Sequence, residues 1–141
     1  MKLCTLNLVA FVAGISGTGV AAADFDGSEP LICSFGQVIE CVAGSKCLAV
    51  TNASVDAPDF VKVDFKKKLL VSTTTGEDSP ADDINVTDLT SHLIIQGTQG
   101  SGQGDALGYS LSIDKANGQL TAAGAGENAG FVIFGACTAN K

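Results

Sequence analysis

Wherever apolar and polar residues alternate along this chain, they do so with a period of two. Val61, Val63 and Phe65 alternate with Lys62 and Asp64, and Tyr109, Leu111 and Ile113 alternate with Ser110, Ser112 and Asp114. A two-residue period puts successive side chains on opposite faces of a strand with one wet side, predicting strands over 59–65 and 108–114. Phe60 falls on the wet side of the first, and Tyr109 on the core side of the second. Lys66, Lys67 and Lys68 form a turn returning into a strand over 69–75, and Lys115-Ala116-Asn117-Gly118 is a turn returning into 119–123. Further strands are predicted at 46–51, 84–86 and 93–98. The stretches 31–35 and 37–41, split by Gly36, read as one bent strand with a bulge or as two short ones. Small residues over 124–130 form a last turn, and 130–137, GFVIFGAC, follows it. This run has no charge and mixes β-branched with aromatic residues, which reads as a strand buried on both faces that closes the fold.

The pattern therefore predicts an all-β protein, an antiparallel meander of about eight or nine strands closing into a small barrel, with a β-sandwich as the alternative. A barrel leaves no strand edge exposed, which suits strands this apolar. The first 23 residues do not belong to it. Lys2, an apolar run to Val20, then Ala21, Ala22, Ala23 and the acidic Asp24 have the make-up of a secretory signal peptide cleaved after Ala23. Gly14, Ser16, Gly17, Thr18 and Gly19 interrupt the run short of the roughly 20 apolar residues of a membrane span, so no span is expected after cleavage. Residues 24–30 are acidic and aperiodic, a flexible arm, and 31–141 is expected to form a single domain.

Charge and cysteine content narrow the setting. All 8 basic residues are lysines, against 15 acidic ones, for a net charge of −7. An acidic surface without arginine repels nucleic acid and anionic lipid and lacks the planar fork that grips phosphate, so no nucleic-acid partner is expected. Cys4 falls within the leader, and Cys33, Cys41, Cys47 and Cys137 remain. An even count after a leader implies disulfides in an oxidising compartment, periplasmic or secreted, with three pairings open. Cys41 with Cys47 and Cys33 with Cys137 is the expected set: the first staples a short turn, the second latches the closing strand to the first. A zinc site is disfavoured, because no C-x-x-C occurs and the single histidine is far away.

Candidate chemistry is sparse. The loop 76–83 offers Glu77, Asp78, Asp82 and Asp83, hard oxygen ligands for calcium but without the spacing of a calcium loop; Ser79, Pro80 and Asp82 are suited to a single helical turn there. The glycine-rich stretch 99–105, with Gln99, Gln103 and Asp105, matches neither a dinucleotide nor a Walker loop. Both read as candidate binding loops. His92, in the turn before Leu93, is a candidate base to a serine with Asp82, Asp83 or Asp88 as orienter, but no nucleophile signature accompanies it. No metal or other cofactor is expected. Paired carboxylates suited to glycoside hydrolysis lie only in a polar loop, and the chain has no tryptophan and one tyrosine to build a sugar platform.

The segments PDFVKVDFKKKLL, LIIQGTQG, YSLSIDKANGQL and AGFVIFGACT, in that order, resemble a family of small secreted or periplasmic proteobacterial β-proteins of uncharacterised function. The resemblance covers about 33–138 and implies a secreted β-fold without implying an activity. At the level of architecture the chain is also similar to periplasmic lysozyme inhibitors, small disulfide-bearing barrels. The expected function is a non-catalytic binding module, taking a protein partner through its loops or a small apolar ligand in its interior. The alternatives are a small hydrolase using His92 and a structural envelope component or lysozyme-inhibitor-like protein.

Overall fold

The structure, a computed structural model, describes residues 25–73, 82–100 and 106–140. The expected signal peptide lies outside the described residues, as do Glu77, Asp78, Gln103 and Asp105 of the two candidate loops. Nine strands follow in chain order: β1 Leu31–Val42, β2 Leu48–Val50, β3 Phe60–Asp64, β4 Leu69–Ser72, β5 Asp82–Asp88, β6 His92–Gln99, β7 Leu107–Asp114, β8 Gln119–Ala125 and β9 Ala129–Ala139. Every neighbouring pair is antiparallel from β3 to β9, and β9 pairs back onto β1, so eight strands close into a barrel. The sandwich alternative is thereby excluded.

β1 holds the closure together. One edge pairs with β9 along its whole length, from Leu31 opposite Ala139 to Val42 opposite Ala129. Its other edge is divided, with Leu31 to Ser34 pairing with β3 and Val38 to Glu40 pairing with β2. The register shifts between Phe35 and Gln37, which makes Gly36 the bulge of a single bent strand. β2 is the ninth strand and stands outside the ring, so the expectation of no exposed edge fails there: its outer edge pairs with no described strand. Both disulfides are formed as expected, Cys33–Cys137 across the β1–β9 seam and Cys41–Cys47 across the β1–β2 turn.

The core fills one end of the barrel. Leu31, Cys33, Val63, Leu93 and Ile113 are all at most 1% exposed, and Leu120 is nearly as buried. The turns 65–68, 89–91 and 115–118 close this end. The segment expected to be a loose arm is anchored here, because Phe25 is 6% exposed and belongs to the core cluster. Its ring lies over Gly118, where a side chain would collide with it, and the Asn140 amide donates to the Pro30 carbonyl at 2.8 Å. An aperiodic segment can still supply one aromatic to a barrel end that its own strands leave uncovered.

Two other expectations are corrected. β9 is buried on one face only, since Ile133 is 1% exposed whereas Phe134 is 43% exposed; among the described residues no second layer covers this face of the barrel. Asp82 and Asp83 belong to β5, opposite Leu70 and Leu69, rather than to a loop. The helical turn anticipated at Ser79 and Pro80 lies outside the described residues; among those described, a short 3-10 segment, Asn52–Val55, follows β2.

Candidate functional site

Among the described residues the other end of the barrel is open and holds a cavity of about 840 Å³. Its origin is visible in the inward positions of two strands. On β8 these run Leu120, Ala122, Gly124, and on β6 Ile95 is followed by Gly97, so side chains shrink toward the open end. Gly97 lies opposite Tyr109, Tyr109 opposite Gly124, and Gly124 opposite Phe131. Glycine and aromatic residues thus alternate around one inward layer. A Cβ at Gly97 would run into the Tyr109 ring, and one at Gly124 into the Phe131 ring. The two rings occupy space that only glycine leaves free, and with Leu111, Ile133 and Leu70 they line an apolar chamber above the core.

The connector 51–59 forms the remaining wall. Thr51 caps the 3-10 turn, its hydroxyl accepting from the Ser54 amide, and Asp56 ends it in the left-handed region at φ 52°. The Asn52 side-chain amide donates to the Phe35 carbonyl and to Asp59 Oδ1, both at 2.9 Å, while the Phe35 amide donates to the Asp59 carbonyl at 2.9 Å. These bonds pin the connector to the bulge of β1. They set Val55, Ala57 and Pro58 against the cavity, with Asp56 and Asp59 beside them.

Of the residues singled out in the sequence, Gln99 reaches this site and lines it. Asp83 is exposed on β5. His92 begins β6 at the closed end, away from the cavity, with Nδ1 2.8 Å from the Ser91 hydroxyl. Asp88, its nearest candidate orienter in sequence, is ion-paired with Lys115. The structure therefore does not bring His92 together with the cavity or with a carboxylate committed to it. Among the described residues no group of three or more His, Cys, Asp or Glu side chains is gathered for a metal ion. Sequence reasoning missed Phe35, Val55, Asp56, Asp59 and Phe131 as site residues. The signal for Phe131 was present in the alternation of β9, once its faces are told apart.

No family model, curated protein or solved structure matches the chain.

Proposed function

We propose that this protein is a non-catalytic binding module, periplasmic or secreted, whose barrel interior receives a small apolar ligand through its open end. The observation that carries the reading is the apolar chamber of about 840 Å³ lined by Tyr109, Leu111, Phe131 and Ile133. A chamber of this size falls in the range of small-molecule sites, and a folded barrel does not need it for stability. The two disulfides support an oxidising, extracytoplasmic setting.

A direct test titrates the folded protein with a neutral alkanol such as decanol and with an environment-sensitive apolar dye. Saturable binding is expected, and it should weaken at least about tenfold in Ala122→Leu, whose added isopropyl group extends into the chamber from a buried floor position. Absence of saturable binding by the wild-type protein, or equal binding by a folded Ala122→Leu variant, overturns the reading.

A further inference from the structure

The chamber is apolar in its depth but carries charge of one sign along its wall. Asp56 and Asp59 both line it and both are exposed, and among the described residues no lysine lines it. Asp59 is held in place, since the Asn52 amide that donates to its Oδ1 also donates to the Phe35 carbonyl. Among the described residues its second carboxylate oxygen has no hydrogen-bond partner, and neither aspartate is in an ion pair.

Most of the described lysines stand at the other end of the barrel, among Asp26, Glu29, Asp64, Asp88 and Asp114. Lys66, Lys67, Lys68 and Lys115 occupy turns at the closed end, where Lys67 pairs with Asp64 and Lys115 with Asp88. Both described ion pairs are therefore remote from the cavity. In the turns at the open end the described charges include Glu127 and Lys46, which offset one another and leave the two wall aspartates uncompensated. An amphiphile entering tail-first leaves its head group at this wall. There a cation is attracted and an anion repelled, with low-dielectric apolar walls limiting the screening.

We infer that the chamber selects its ligand by head-group charge, binding alkyl amines or quaternary ammonium amphiphiles in preference to carboxylates with the same tail. This inference rests on the proposed reading of the same cavity as a ligand site. The test compares decyltrimethylammonium, decanol and decanoate, each below its micelle concentration, by calorimetric titration at about 0.01 M and about 1 M salt, where the Debye length falls from about 30 Å to about 3 Å. The cation should bind at least about tenfold tighter than decanoate at low salt, with decanol between them, and the gap should narrow at high salt.

The matching variant is Asp56→Asn with Asp59→Asn. Asparagine tolerates the left-handed backbone at Asp56 and keeps an acceptor for Asn52 at Asp59, so the wall should stay intact. In this variant the gap between cation and anion should collapse, with the affinity of each read relative to that of decanol for the same variant. If decanol binds but decanoate matches the cation in the wild type, or if the gap survives in the variant, the charge selection is wrong while the cavity reading stands. If none of the three binds, both fail.

Discussion

Phe25 shows how much one side chain outside every strand can contribute. Its ring covers the closed end of the barrel and packs over Gly118, whose φ of 72° already disfavours a side chain. Phe25→Ala removes a buried aromatic and is expected to cost about 3–5 kcal/mol, read as a lower urea midpoint at constant slope. Gly118→Ala meets both the backbone strain and the ring, and should lower the midpoint as well. The next residue reports on the same arm. Asp26 Oδ1 accepts from the Ser28 amide at 2.8 Å, and the hydrogen bonds from Ser28 hold its carboxyl below the ordinary aspartate range. A carboxylate with a depressed folded-state pKa stabilises the fold above its unfolded-state pKa, and that contribution fades as pH falls through the folded value. Titrating the Asp26 carboxyl by NMR should give a midpoint below that of a free aspartate, moving up toward it when Ser28 is replaced by Pro, which has no amide hydrogen to donate. An unshifted wild-type midpoint would remove this link.

Among the elements, β1 carries the most varied duties, since it pairs with three strands and holds one end of each disulfide. The two bridges differ in what they constrain. Cys33–Cys137 joins residues 104 apart and Cys41–Cys47 residues 6 apart. In the chain-entropy model a loop of about 100 residues stabilises by about 4.7 kcal/mol, and a loop of only a few residues by less than the ~3 kcal/mol of a 15-residue loop. Denaturant unfolding of the paired variants Cys33→Ala/Cys137→Ala and Cys41→Ala/Cys47→Ala should therefore show the larger loss for the first. The reverse order would mean that the β1–β2 hairpin, not the barrel seam, limits stability. Strands of this kind are legible in the sequence because alternation and turn chemistry are local. Val61 and Val63, the 108–114 run, the 115–118 turn and the bulge at Gly36 all signal within a few residues. β9 misleads because an apolar run looks the same whether Val132 and Phe134 face a second layer or solvent. The cavity is not legible at all by such means. It depends on Gly97, Tyr109, Gly124 and Phe131 falling in one layer across four strands, and register between strands is set by the closure of the whole ring.

In the whole molecule the same barrel is packed solid at one end and hollow at the other, and this division has a thermodynamic consequence. The closed half, with Phe25, Leu31, Leu93 and Ile113 buried, supplies the apolar burial that keeps the fold together. The open half forgoes that burial around a chamber of about 840 Å³. A ligand that enters the chamber binds the folded chain and not the unfolded one, so it stabilises by mass action, by about 2.7 kcal/mol at a free concentration about 100 times its Kd. For a domain of this size that amounts to a rise in Tm of roughly 10 °C, measurable by calorimetry in the presence of decanol. Ala122→Leu separates this linkage from a nonspecific solvent effect. The variant fills part of the chamber with its own side chain, so its ligand-free Tm should hold or rise while the increment given by decanol shrinks. Equal increments in the two proteins would mean that decanol acts somewhere other than the chamber.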